Sequence, residues 1–240
     1  MGAATAAKPF AGMPAPTRHV RGFDTDAAHA YLAKRDRKLA TWMRRIGPIG
    51  PEPRWRKPFD PVDALARAIL YQQLSGKAAA TIVGRVETAI DSDRLHCDTL
   101  ARCDDAAIRG CGVSGNKLLA LRDLALRESR GEIPSLRRMA SMDDAAIVDA
   151  LVPIRGIGRW TVEMMLMFRL GRPDVLPVDD LGVRKGAQLV DRADTMPTPK
   201  ELLARGERWG PYRTYASLYL WRIADADKAP VKAPVKRSQG

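Results

Sequence analysis

Apolar residues recur three and four positions apart along nearly the whole chain, without a sustained alternation of apolar and polar residues. That pattern predicts helices and no sheet. Over residues 26–46 it predicts two helices, with Leu32, Leu39, Trp42, Met43 and Ile46 facing inward. The proline-rich stretch 47–61 is too punctuated to be one helix and reads as a crossing. Helices are predicted over 62–73 and 75–90, parted at Ser75, a suitable N-cap. A short helix opens at Asp104–Asp105 and ends near Gly110–Gly112. A longer one spans 115–130, with Leu118, Leu121, Leu124 and Leu126 as its apolar face and Gly131 as its stop. Further helices are expected over 142–151, 159–170, 180–189, about 200–208 and 212–225. The fold class is all-α, with no internal repeat. The ends, 1–20 and 227–240, are rich in Pro, Ala and Lys and are expected to be disordered tails.

Composition adds a partner class. At 240 residues and 45% hydrophobic, the chain can bury one or two compact cores. It has no run of about 18 apolar residues, so no membrane span is expected. Residues 1–16 lack the charged start and apolar stretch of a secretory signal. The net charge of +12 makes a field that attracts polyanions, nucleic acid being the commonest. Part of it sits in Lys228, Lys232, Lys236 and Arg237, which also read as a plain solvated extension. Cys97, Cys103 and Cys111 cannot all pair and fit no zinc framework. They read as thiols of a reducing compartment, so a cytoplasmic protein is expected, nucleoid-associated in a bacterium.

The most specific local pattern is the run 151–161, Leu-Val-Pro-Ile-Arg-Gly-Ile-Gly-Arg-Trp-Thr. Gly156 and Gly158 let the backbone turn sharply while Ile157 tucks between the flanking helices. The next helix then starts with bare N–H groups, which with the positive end of its dipole make a phosphate site. This is a helix-hairpin-helix, a device that holds the nucleic-acid backbone without reading sequence. Non-catalytic proteins use it too, so it argues for DNA binding more firmly than for catalysis.

One helix later comes the run 172–186, Arg-Pro-Asp-Val-Leu-Pro-Val-Asp-Asp-Leu-Gly-Val-Arg-Lys-Gly. A hairpin, a helix and then a Pro-Val-Asp segment resemble the helix-hairpin-helix DNA glycosylase superfamily. Three more stretches resemble its 3-methyladenine DNA glycosylase II branch. They are Ala-Ile-Leu-Tyr-Gln-Gln-Leu-Ser at 68–75, Gly-Val-Ser-Gly-Asn-Lys at 112–117, and Trp-Gly-Pro-Tyr-Arg-Thr-Tyr-Ala at 209–216 followed by Leu220-Trp221. The resemblance covers about 25–225 and implies two helical subdomains with a cleft between them. Residues 57–174 would carry the hairpin, while 21–56 and 175–226 would pack together as the other subdomain. The additional N-terminal α/β domain of some bacterial relatives is not expected, since nothing before residue 68 reads as strand.

The same resemblance assigns roles. An aspartate of the Pro-Val-Asp segment is implied to be catalytic. Asp followed by Leu-Gly favours Asp180, and counting from the proline favours Asp179. Either can instead cap the helix that starts at Leu181, with Asp179 as cap and Asp180 as catalyst the preferred division. Members that also cut the DNA strand use a lysine two residues after the second hairpin glycine; Trp160 stands there, so base removal without lyase chemistry is expected. Branches with an iron–sulfur cluster carry four cysteines near the C-terminus, and the last cysteine here is Cys111, so no cluster is expected. Trp160, Trp221, Met164 and Tyr71 are the implied lining of a base pocket, suited to cationic alkylated bases through cation–π attraction. Trp42, Trp55 and Trp209 read as structural.

Gln73 or Leu74 is the implied wedge that fills the gap left by an extruded base. Gly156, Gly158, Arg159, Thr161, Ser114 and Lys117 are the implied contacts to the DNA backbone, Lys117 reading equally well as a solvated helix start. A Na⁺ or K⁺ on the carbonyls of Arg155, Gly156 and Gly158 is also implied, with no other cofactor required. The expected partner is double-stranded DNA carrying damaged bases, bound by a monomer. A glycosylase for a different lesion and a non-catalytic DNA-binding module are the competing readings.

Overall fold

A computed structural model describes residues 21–228 and contains no strand among them. The expected tail 1–20, and 229–240 of the expected tail 227–240, lie outside these residues. Thirteen α-helices follow in order among the described residues. They are α1 Thr25–Arg35, α2 Arg37–Ile46, α3 Pro61–Tyr71, α4 Gly76–Ile90, α5 Cys97–Leu100, α6 Asp105–Gly110 and α7 Gly115–Ser129. Then come α8 Leu136–Ser141, α9 Asp144–Leu151, α10 Arg159–Met165, α11 Leu181–Asp191, α12 Pro199–Gly206 and α13 Arg213–Lys228.

Side-chain caps set most of the starts. Asp24, Asp36, Asp60, Ser75, Asp104, Ser135, Asp143, Asp180 and Thr198 each accept a hydrogen bond from a first-turn amide of the helix that follows. Each satisfies a donor the helix itself cannot use. Pro61 and Pro199 sit in first turns, where a missing N–H costs nothing.

The helices close around two cores. One is contiguous in sequence, running from Phe59 to Val175, and is mostly aliphatic. The other joins both ends of the described chain, from Ala28 to Ile49 and from Leu176 to Ile223. Its centre is the crossing of α11 and α13. A Cβ at Gly186 would lie 2.1 Å from the Leu220 carbonyl oxygen, so only glycine permits that approach. Trp221 is half-buried and packs against both cores.

Several local expectations need correction. Leu118, Leu121 and Leu124 are buried on α7, but Leu126 is 47% exposed, because its position on the helix has turned away from the core. Helix 62–73 stops at Tyr71, leaving Gln72 and Gln73 in a turn, and helix 142–151 starts two residues late, under its Asp143 cap. The single helix expected over 159–170 is α-helical only to Met165 and ends in a π-helical turn, Leu166–Leu170. Short elements at Pro53–Arg56, Cys97–Leu100 and Leu136–Ser141 had no periodic signal, being too brief to show one. Helix α13 runs to Lys228, into the stretch expected to be tail. No helix among the described residues is long and apolar enough to cross a membrane.

Candidate active site

The hairpin forms as its residues dictate. Gly156 adopts φ +78°, and a Cβ there would approach Ala120 Cβ to 3.1 Å. Ile154 and Ile157 are buried beneath the turn. The Arg155 amide donates to Asp123 Oδ2 at 2.8 Å, fixing the loop to α7. Gly158 is the N-cap of α10 and brings no side chain to its first amides. The carbonyls of Gly156 and Gly158 already accept hydrogen bonds, from Gln72 Nε2 at 2.8 Å and from the Thr161 amide at 3.0 Å. The Gly158 carbonyl also accepts from the Val162 amide at 3.3 Å, whereas that of Gly156 keeps a second lone pair. A set of neutral carbonyls without a carboxylate fits a monovalent ion better than a divalent one.

Helix α10 then delivers Trp160 to the cleft. Its indole Nε1 donates to Asp180 Oδ2 at 2.8 Å. From the other core, Trp221 Nε1 donates to Asp180 Oδ1 at 2.8 Å, and the Val183 amide reaches the same oxygen at 2.8 Å. Three donors from two helices and a helix start therefore hold one carboxylate. Gly182 makes room for this: a Cβ there would lie 2.7 Å from Trp221 Cδ1 and 3.1 Å from Asp180 Oδ1. The division of labour expected between the two aspartates is thus corrected. Asp180 itself is the cap of α11, while Asp179 is exposed.

A cavity of ≈ 620 Å³ opens beside Trp160. Tyr71, Met164 and Trp160 line it as expected, and Thr161, expected on the DNA backbone, lines it too. Trp221 lines a separate cavity of ≈ 420 Å³ with the segment Ile49–Pro53. It adjoins the first through Phe168, whose ring stacks on it at 5.8 Å and 26°, and through Asp180, which it shares with Trp160. At the rim, Gln73 takes a left-handed φ of +58° and Leu74 is 39% exposed. A non-glycine residue in that region is strained, a feature that gathers at functional sites.

Two expected backbone contacts separate. Ser114 precedes α7 with its hydroxyl uncommitted to the cap. Lys117 Nζ instead donates to the Leu70 carbonyl at 2.8 Å, closing the end of α3, and burial lowers its pKa.

The residues that sequence reasoning missed are Gln72, Glu163, Phe168 and Arg169. Glu163 is 6% exposed on α10, its carboxylate 3.7 Å from Arg159 Nη1. Burial, opposed by Arg159 and reinforced by the nearby charges of Asp179 and Asp180, raises its pKa to about 7. A buried polar position in an otherwise apolar helix face was the available signal. Phe168 and Arg169 face the site because of the π-helical turn, which periodicity does not show.

The carboxylate beside a cavity lined partly by aromatic rings, next to a hairpin with open amides, now stands beside known proteins. The sequence profile of the HhH-GPD superfamily of base excision DNA repair proteins matches residues 66–211. The chain belongs to that superfamily. It is 33% identical over 209 residues to DNA-3-methyladenine glycosylase 1 of Schizosaccharomyces pombe, covering 85% of this chain and 91% of that one. Its fold resembles a DNA-3-methyladenine glycosidase from Bacillus halodurans, with a TM-score of 0.76 at 34% identity over 86% of this chain and 93% of the other. The S. pombe 3-methyladenine DNA glycosylase in complex with abasic DNA gives 0.71 at 32% identity, covering 82% and 95%. In the terms of this HhH-GPD fold, Asp180 and Trp160 lie where the two cores meet.

Proposed function

We propose that this chain is a monofunctional DNA glycosylase that removes alkylated bases, 3-methyladenine and its kin, from duplex DNA. One observation carries the reading: a single carboxylate, Asp180, is held by the indoles of Trp160 and Trp221 beside a cavity sized for a base. Similarity to proteins named as 3-methyladenine glycosylases supports the substrate class.

The amides of Gly156, Gly158 and Arg159, with Thr161 and Ser114, hold the DNA backbone. A Na⁺ or K⁺ on the hairpin carbonyls of Arg155, Gly156 and Gly158 would add charge against a phosphate there. The turn carrying Gln73 and Leu74 fills the gap as the base leaves the stack, which offsets part of an unstacking cost of about a few kcal/mol. The base enters the cavity against Trp160, Tyr71 and Met164, with Phe168 and Trp221 behind. As the N-glycosidic bond breaks, its electron pair leaves with the base and positive charge grows at C1′. Asp180 stabilises that charge. Water adds to C1′ and gives its proton to the Asp180 carboxylate. Hydrolysis of this kind needs only a carboxylate and water, and a monomer supplies both. A Schiff base needs an amine where Trp160 stands, so the strand stays intact.

The test is release of free 3-methyladenine from methylated duplex DNA, together with borohydride trapping. The expected result is base release without a covalent adduct. Tight DNA binding without release of any alkylated base overturns the activity, and a trapped adduct overturns its monofunctional character.

A further inference from the structure

The wall of the cavity away from Trp160 carries charge that the proposed chemistry leaves unused. Arg54, Arg67 and Arg169 line it together with Asp63. Arg54 is committed to Glu52, Nε to Oε1 at 2.7 Å. Arg67 is committed to Asp63 and Glu87, each at 2.8 Å. Arg169 is different. Among the described residues its guanidinium makes no hydrogen bond or ion pair; it lies over the Phe59 ring, 4.7 Å from the centroid, with Nε buried and unpartnered.

The placement is built. The π-helical turn Leu166–Leu170 carries Arg169 to the cavity, and Arg21 Nη1 donates to its carbonyl at 3.1 Å. Such turns recur at functional sites. Burial and the neighbouring charges of Arg54 and Arg21 lower its pKa, against the pull of Asp63. A guanidinium has five donors and no acceptor, and leaving such donors unpaired in a partly buried wall is costly. A ligand seated in the cavity can bring the acceptor that the guanidinium lacks among the described residues.

We propose that Arg169 is a specificity-determining residue: it donates to an acceptor at C6 of the extruded purine, and so admits 6-oxopurines such as alkylated guanine beside the 6-aminopurine 3-methyladenine. The inference rests on the glycosylase reading and deepens it. A carbonyl at that edge completes the guanidinium. An exocyclic amine sets donor against donor and leaves both unpaired, the arrangement by which polar sites discriminate most sharply.

The experiment compares 7-methylguanine with 3-methyladenine in one methylated duplex. Both bases are cationic but differ in methyl position and C2 amine as well as at C6, so the change in their ratio between wild type and variant is what reads the Arg169 contact. Single-turnover release of each is measured for wild type, Arg169→Met and Arg169→Lys. Methionine keeps an apolar stem against Phe59. The ratio of the two rates within one preparation is independent of how much protein is folded. Arg169→Met is expected to lower the 7-methylguanine to 3-methyladenine ratio by about tenfold or more, with Arg169→Lys recovering part of it. An unchanged ratio, including an equal fall of both rates, overturns the inference and makes Arg169 a backbone contact or a fold support. Release of neither base by the wild type is a separate result, which overturns the glycosylase reading and this inference with it.

Discussion

The two cores are packed from different material. The one beneath the hairpin is built from Leu, Ile, Val and Met of helices close in sequence, with Phe59 as a buried aromatic member. The one that joins the chain ends is rich in aromatics with polar handles. Trp209 donates to Asp36 at 2.8 Å, Tyr215 accepts from the Ile49 amide and donates to its carbonyl, and Tyr219 donates to the Gly47 carbonyl. Each of these bonds ties α13 or its approach to the N-terminal helices across more than 160 residues of chain. An aliphatic core can form from neighbours by shape alone; the second has to bring distant segments into one register, and directional bonds do that. Asp180 stands at the start of the second core and meets Trp160 of the first, so the site exists only when both are closed.

That contrast can be broken by substitution. Trp209 is fully buried, with Arg205 stacked on it and paired to Asp36 at 2.5 Å. Trp209→Ala is expected to cost about 3–5 kcal/mol in urea unfolding, from lost burial and the lost bond to Asp36. Leu124→Ala in the aliphatic core should cost about 2–5 kcal/mol, without altering the Asp180 bonds. A Trp209 loss well below that of Leu124 would deny the second core its dependence on the handle.

Glu163 gives a pH test at the junction. Its folded pKa, raised to about 7, lies above its ordinary value, so the folded state binds the extra proton and loses stability as pH rises through the window from about 4.5 to 7. Glu163→Gln should flatten that decline, gaining on the order of 2 kcal/mol relative to wild type between pH 5 and pH 8 in melts. Parallel wild-type and variant curves would remove Glu163 from the account. Gln72 joins the wedge turn to the hairpin, and Gln72→Ala should cost about 1 kcal/mol in the same melts. The smallest effect belongs to the solvent face of the first core: Leu126→Gln should change stability by less than about 0.5 kcal/mol, and a larger loss would return Leu126 to the apolar face.

Much of this arrangement was legible in the residues. Helical spacing marked the long helices because burial of one face is a local constraint. The Gly-Ile-Gly hairpin was legible because only glycine takes φ +78° against Ala120. The meeting of Trp160, Trp221 and Asp180 was legible through resemblance, not through periodicity. What stayed hidden is non-local or off-period. The cap role of Asp180 depends on where α11 starts to within one residue. The bond from Lys117 to the Leu70 carbonyl is hidden because no pattern shows that this carbonyl lies within its reach. Arg169 and Phe168 turn toward the cavity through a π-helical turn that the sequence does not announce. Met164 and Tyr71 fell on the cavity wall, whereas Trp221 sits one ring behind it.

The central claim is that one carboxylate at the junction of the two cores breaks the glycosidic bond. Single-turnover release of 3-methyladenine, measured for Asp180→Asn and Asp179→Asn at matched DNA occupancy, tests it most directly. The account predicts a loss of at least about a hundredfold for Asp180→Asn, the scale of removing one electrostatic stabiliser, with Asp179→Asn near wild type. Full activity in Asp180→Asn with loss in Asp179→Asn would contradict it.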